Sequence, residues 1–262
     1  MKFLAKWRLR KPADDEETVY ISERYGVRSL HIGSDTIQSS MRLAKPFDLE
    51  LSYTRSMMAF MLLMPAPAEV LMIGLGGGSL AKFVYQHLGQ TRTRVVEVNP
   101  RVVAMARQYF HVPADGPRFE VIITDGAAYV QRQDVEADLV VLDGYEADSH
   151  VEELATREFY SACRERLRRG GMLVANLWGG DKLFNTLLQR IRAAFPAGTL
   201  CLPAERPGNV IVFAFKSEPG SFRWSDLARR ASTLEPDHRL EYTRFVEALK
   251  KMNQHDAEHL YP

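Results

Sequence analysis

The sequence predicts an α/β fold: a mostly parallel sheet covered by helices on both sides, behind a small antiparallel β-domain. Two observations carry this. From residue 69 onward, short apolar runs alternate with amphipathic stretches of helical length, the pattern of parallel strands joined by crossover helices. Before residue 65, β-prone runs are separated by turn residues rather than helices, which is the pattern of a meander. A chain of 262 residues is long enough for one such domain with a large core and a modest appendage.

Taken in order, residues 1–64 form the N-terminal region. It starts with the basic "MKFLAKWRLRK", in which Leu4, Trp7 and Leu9 interleave with cations. A contact with an anionic surface is one reading, and a loose solvated terminus is the preferred one. "TVYISERYGVRSLHIGSDTIQSSMRL" is broken at Tyr25-Gly26 and Gly33-Ser34-Asp35, giving the meander. "SYTRSMMAFMLLM" has the length and richness in Met and Leu of a buried linking helix, with methionine as core filler. Pro65-Ala66-Pro67 closes the region.

Residues 65–220 form the main domain. "EVLMIG", "RVVEV", "FEVIIT", "ADLVVLD", "GMLVANL" and "NVIVFAF" read as strands, the first five rich in Val, Ile and Leu on both faces. "SLAKFVYQHL", "PRVVAMARQYF", "GAAYVQRQ", "TREFYSACRERLRR" and "DKLFNTLLQRIRAAF" read as the intervening helices. Residues 221–262 read as two helices around Pro236, with His255 and His259 one turn apart on a solvated tail helix.

Bulk properties narrow the function. The chain is 46% apolar and 26% charged with a net charge of +1, so neither a nucleic acid nor a membrane is demanded as partner. No apolar run approaches the ~20 residues that span a bilayer, and no secretion signal is read at the start. Cys163 and Cys201 are isolated, as expected of reduced structural thiols in a cytoplasmic protein. No tight set of His, Cys and Asp suggests a metal site.

Ligands of such sheets bind beyond the C-terminal ends of the strands, where strand order reverses, so the strand ends hold the candidate site. The first ends in Gly74-Leu75-Gly76-Gly77-Gly78-Ser79 and leads straight into a helix. Glycines allow close backbone approach, and a helix N-terminus offers unpaired N–H groups. The second ends in Glu97, about twenty residues on, where an acid can accept from both ribose hydroxyls. The third ends in Thr124-Asp125-Gly126. Asp125 is either an acceptor for an adenine amine or the N-cap of the next helix, and the two roles are compatible. The fourth ends in Asp143-Gly144-Tyr145-Glu146, with Asp148 and His150 behind. Three acids so close repel one another unless a cation sits among them, which points to a sulfonium, an amine or a metal. Together the four ends fit an S-adenosylmethionine-type ligand better than a nicotinamide dinucleotide.

With these residues assembled, the chain resembles the polyamine aminopropyltransferases, spermidine synthase and its relatives, over about residues 18–216. The resemblance rests on the meander, Gln38 after "GSDTI", Tyr53 leading into a helix, the glycine loop, "VVEVNP", "TDG", and Asp143/Glu146 followed by "TREFY". It implies an S-adenosylmethionine methyltransferase-like Rossmann domain behind the β-domain, in a homodimer. It also implies attack of a diamine nitrogen, as in putrescine, on the carbon beside the sulfonium of decarboxylated S-adenosylmethionine. Gly74, Gly76, Gly77 and Gly78 would approach the cofactor. Glu97 would hold its ribose, and Asp125 with Gly126 its adenine. Asp143 stands where the family has the acid that orients and deprotonates the amine, and Glu146 at the family's second acid. Gln38 and Tyr53 match positions on the substrate side, and Tyr145 is placed with them. An alkylammonium has a pKa of about 10, so one carboxylate must guide a proton away while another holds the far ammonium. The remaining requirement is alignment.

Two departures stand out. The family's glycine loop carries an aspartate that faces the aminopropyl amine and disfavours a carboxylate-bearing cofactor; Gly77 occupies that position. Thr54 and Arg55 follow Tyr53 where the family has a polar residue and an acid. Arg55 reads either as a helix-surface charge or as a bidentate clamp for a carboxylate on the cofactor or substrate. Beside aminopropyl transfer, two readings stay open: a methyltransferase using intact S-adenosylmethionine, which Gly77 permits, and a non-catalytic adenosine-binding protein.

Overall fold

The structure is a computed structural model that describes residues 18–132, 134, 136–143, 152–205 and 208–262. The N-terminal region is the expected meander: β1 (Val19–Arg24), β2 (Val27–Ile32) and β3 (Ile37–Arg42) pair antiparallel in that order. Tyr25 and Gly26 both take positive φ, 52° and 74°, the backbone of a tight two-residue hairpin that matches strand twist. The linking segment divides into α1 (Ser52–Met57) and α2 (Phe60–Leu63). Met57, Met58, Phe60, Met61 and Leu62 are all fully buried, so the methionines do fill core.

The main sheet is built from β4 (Glu69–Ile73), β5 (Arg92–Glu97), β6 (Phe119–Ile123), β7 (Ala137–Leu142), β8 (Leu167–Trp178), β9 (Thr199–Pro203) and β10 (Asn209–Phe215). Its order is β6-β5-β4-β7-β8-β10-β9. The first five are parallel, and β10 runs antiparallel to both neighbours. Connecting them are α3 (Ser79–His87), α4 (Pro100–Tyr109), α5 (Gly126–Val130), α6 (Arg157–Arg166) and α7 (Phe184–Ala194). This is the Rossmann-like arrangement that the resemblance implied. Strand order reverses between β4 and β7, and there the Asp143 N–H donates to Ile73 O at 3.1 Å. A ligand crevice belongs at that point.

Successive strand residues face opposite layers. Val70, Met72, Val95, Leu139 and Val141 pack with α3 and with the two tail helices, whereas Leu71, Ile73, Val96, Val140 and Leu142 pack with α5, α6 and α7. Burial on both faces explains why these strands read as unbroken apolar runs. Cys163 and Cys201 are buried free thiols.

The structure departs from the sequence expectations in three places. β9 forms the sheet edge although "TLCLP" is short and ends in proline; proline is tolerated at an edge strand. The tail helices α8 (Trp224–His238) and α9 (Tyr242–Leu249) do not divide at Pro236, which lies inside the last turn of α8. The break falls at Arg239, which is left-handed with φ 55°. His255 and His259 lie on no helix. They belong to β12 (Gln254–His255) and β13 (His259–Tyr261), which with β11 (Phe222–Arg223) make a small sheet. The fully buried Leu260, paired with Phe222, anchors that sheet to the core.

The meander docks through Val19, Leu30 and Met41 onto Val102 and Phe110. Between the two parts lies Lys82 of α3, which is 1% exposed. Its ammonium donates to Pro46 O and Phe110 O at 2.7 Å each and approaches the Met41 sulfur at 3.3 Å. Burial pushes its pKa down to about 8.

Candidate active site

The C-terminal ends of the parallel strands open into a cavity of about 740 Å³, roofed by β3 of the meander. Gly74, Leu75, Gly76 and Ser79 form one wall. Gly76 takes φ 53°, a backbone state in which a side chain is disfavoured. Gly77 and Gly78 do not line the cavity. A Cβ on Gly77 would sit 2.6 Å from Ser39 Oγ and 2.9 Å from Phe110 Cδ1. Ser39 of the meander and Phe110 at the end of α4 close onto this position, so an aspartate there would displace both.

Glu97, at the end of β5, is buried and lines the same cavity. Its Oε2 accepts from the Leu75 N–H and its Oε1 from the Asn99 N–H, both at 2.9 Å. The carboxylate therefore fixes the glycine loop while facing the ligand space. Asp125 combines its two readings. Its Oδ1 accepts from the Ala128 N–H at 2.7 Å as the N-cap of α5, and the residue lines the cavity with Gly126.

Asp143 stands at the switch point. Its Oδ2 accepts from the Tyr53 hydroxyl at 3.3 Å and its Oδ1 from Asn176 Nδ2 at 3.1 Å. Asn176 Oδ1 in turn accepts from Asn209 Nδ2 at 2.9 Å. Tyr53 of α1 and Asn176 of β8 thus hold one carboxylate just past β7, and Asn209 of β10 holds Asn176. Burial pushes the Asp143 pKa up to about 6, while the Asn176 and Tyr53 hydrogen bonds oppose that rise. The Tyr53 phenol is held well above its ordinary range by burial and by the Asp143 charge, so it stays a donor.

Gln38 and Thr54 also line the cavity, as do Trp178 and Asp181 beyond the end of β8. Its walls carry the carboxylates of Glu97, Asp125, Asp143 and Asp181 and, among the described residues, no Lys, Arg or His. Such a cavity favours a cationic ligand and disfavours an added carboxylate.

Arg55 stands apart from the cavity lining. Its Nε lies 3.3 Å from Glu241 and its NH2 3.5 Å from Glu205, and its NH1 donates to Glu50 O at 3.0 Å. Carboxylates of its own chain engage the guanidinium, and its side chain is only 20% exposed, so it is neither an open surface charge nor part of the cavity wall. Glu146 and Tyr145, with Asp148 and His150, lie outside the described residues, as does the basic segment around Trp7. Sequence reasoning missed Asn176, Trp178, Asp181 and Asn209. The fifth strand end, Asn176-Leu177-Trp178, carried the signal, because the rule applied to the first four strands extends to it.

Comparison with known proteins adds the following. The profile described as the spermine/spermidine synthase domain matches residues 50–222. A polyamine aminopropyltransferase of Chromobacterium violaceum is 41% identical over 97% of both chains. Among solved structures, a probable spermidine synthase of Corynebacterium glutamicum superposes with a TM-score of 0.70 at 18% identity, covering 92% of this chain and 94% of that one. A spermidine synthase in complex with the transition-state analogue AdoDATO is 26% identical with a TM-score of 0.66, covering 79% and 73%.

Proposed function

The chain belongs to the spermine/spermidine synthase family, and from that membership we propose that it transfers an aminopropyl group from decarboxylated S-adenosylmethionine to a diamine such as putrescine. The observation that carries the reading is Asp143: a buried carboxylate with a pKa of about 6, oriented by Tyr53 and Asn176, in the same cavity as Glu97 and Asp125. Above that pH it is ionised and able to take a proton from an alkylammonium or from the nitrogen as it reacts.

In the proposed step, the amine nitrogen attacks the methylene carbon attached to sulfur. The C–N bond forms and the C–S bond breaks, its electron pair staying on sulfur to leave neutral methylthioadenosine. The proton lost from nitrogen goes to Asp143. Tyr53 and Asn176 keep the carboxylate aimed along the line of attack, which supplies alignment. Glu97 is assigned to the ribose hydroxyls and Asp125 to the adenine amine. Glu146 is assigned as the second acid, and Tyr145 beside it to the substrate side, on the sequence resemblance alone.

The decarboxylated donor is favoured over intact S-adenosylmethionine by the charge of the walls. With Gly77 closed off, four carboxylates and no cation among the described lining residues still repel an additional carboxylate. Family membership and the 41% identity to a named aminopropyltransferase favour aminopropyl over methyl transfer and over a non-catalytic role. A homodimer in the cytoplasm belongs to the same proposal, and a monomeric mass by light scattering would remove the dimer. The main test is thermal-shift titration with the decarboxylated donor, intact S-adenosylmethionine and methylthioadenosine, followed by turnover with putrescine. Methylthioadenosine release and preferential stabilisation by the decarboxylated donor are expected. Stabilisation by the intact cofactor alone would overturn the reading.

A further inference from the structure

The sheet order arranges the cavity along a line. Glu97 and Asp125 follow β5 and β6 on one side of the switch point, Asp143 stands at it, and the ends of β8 and β10 lie on the other side. If the first side holds the adenosine, the far side faces the acceptor. Asn176 and Trp178 are two residues apart on β8, so they project from the same face, separated by about 6.6 Å at ~3.3 Å per residue. Asn176 holds Asp143, and Trp178 therefore sits one step further out along the cavity.

Trp178 is 52% exposed and its ring lines the cavity. Yet it is not loose. A Cβ on Gly208, which has φ +132°, would overlap the indole ring, and a Cβ on Gly180 would lie 3.0 Å from its Nε1. The Gly179 N–H donates to Gly208 O and closes the turn beneath the ring. Asp181 is fixed beside it: its N–H donates to Trp178 O at 3.1 Å, and its Oδ1 accepts from the Leu183 N–H at 2.7 Å. A held aromatic ring and a carboxylate on one cavity wall both attract a cation.

Resting on the aminopropyl-transfer reading, we propose that Trp178 and Asp181, which share the cavity wall beyond Asn176, form the subsite for the far ammonium of a short diamine whose other nitrogen reacts at Asp143. The subsite selects diamines over monoamines and favours an acceptor that spans from Asp143 to the indole ring. It acts beside any contact from Glu146, since an ammonium has three N–H donors.

The test compares wild type with Asp181→Asn, Trp178→Leu and Trp178→Phe, using putrescine and 1-butylamine as acceptors. Asp181→Asn keeps an oxygen for the Leu183 N–H, so the turn survives. The KM for putrescine is expected to rise about 10-fold in Asp181→Asn and about 5-fold in Trp178→Leu, with Trp178→Phe largely restored. The preference for putrescine over butylamine falls in parallel, while the KM for the donor stays within about 2-fold. Putrescine KM unchanged in both Asp181→Asn and Trp178→Leu, or a rise in donor KM instead, would overturn the subsite. Calorimetric binding of putrescine with methylthioadenosine present reads the same contact without turnover. Binding that is weakened in Asp181→Asn, in a wild type that transfers nothing, would overturn the functional reading and support the subsite.

Discussion

Replacing Asn176 by Leu removes the amide that donates to Asp143 Oδ1 at 3.1 Å and leaves the buried carboxylate with the Tyr53 hydroxyl. The carboxylate already has a pKa of about 6 because burial outweighs its two hydrogen bonds. A hydrogen bond to a charged group contributes about 1.5–3 kcal/mol, and one pKa unit corresponds to about 1.4 kcal/mol. Losing the bond disfavours the charged form, so the pKa moves up by about 1 to 2 units, to roughly 7–8. At pH 7 the ionised fraction then falls from about 90% to between about 50% and 10%, a loss of about 2- to 10-fold in kcat/KM that is recovered near pH 9. The assay is kcat/KM for putrescine from about pH 5 to about pH 9 at saturating donor, reading the acid limb. Recovery at high pH separates this mechanism from misfolding, which would depress the whole profile. A limb that stays near 6, or moves to lower pH, would refute the assignment of Asn176 to the Asp143 charge.

Three further substitutions test the same geometry. Asp143→Asn is expected to cut turnover by about 10²–10⁴-fold. The raised pKa of Asp143 contributes stability below its unfolded value of about 3.8 that is lost as pH rises through about 6, a difference on the order of 3 kcal/mol. Asp143→Asn should therefore unfold at higher temperature than wild type at pH 7, an advantage that vanishes near pH 4; equal gains at both values would contradict it. Gly77→Asp forces a side chain onto Ser39 and Phe110 and should cost about 1–3 kcal/mol, lowering Tm by about 3–10 °C; an unchanged Tm would show that the loop has room. Arg55→Gln breaks the pairs of a largely covered guanidinium with Glu205 and Glu241 and its bond to Glu50 O, so a stability loss of about 1–3 kcal/mol is expected. Its KM values should stay within about 2-fold, and a tenfold change for donor or acceptor would return Arg55 to the site.

Strand ends were the legible part of this protein. A strand buried on both faces announces itself in composition, and its last residue is placed by the sheet, so Glu97, Asp125 and Asp143 could be named from sequence and do line one cavity. What connects them was not legible. The hydrogen bonds from Tyr53 and Asn176 to Asp143 span 90 and 33 residues of sequence, and no local pattern records such a pairing. Gly77 illustrates a second limit. Sequence marked it as a missing aspartate, whereas the close approach of Ser39 and Phe110 to it is a tertiary contact. Arg55 illustrates a third: its charge was visible, but the direction it faces depends on Glu205 and Glu241, which arrive from the far end of the chain. In the tail, helical spacing of His255 and His259 misled because so short a segment carries no periodicity to distinguish a turn of helix from a hairpin.

Lys82 offers a way to watch the meander side part from the main domain. Its ammonium is shielded by carbonyls from both the meander side and the main domain, and β3, which supplies part of that enclosure through Met41, also supplies Gln38 and Ser39 to the cavity. An acylating reagent reaches Lys82 only when the enclosure made by Met41, Pro46 and Phe110 opens. The labelling rate of this one amine therefore reports separation of the meander side from the main domain, and a ligand bridging β3 and the glycine loop should slow it.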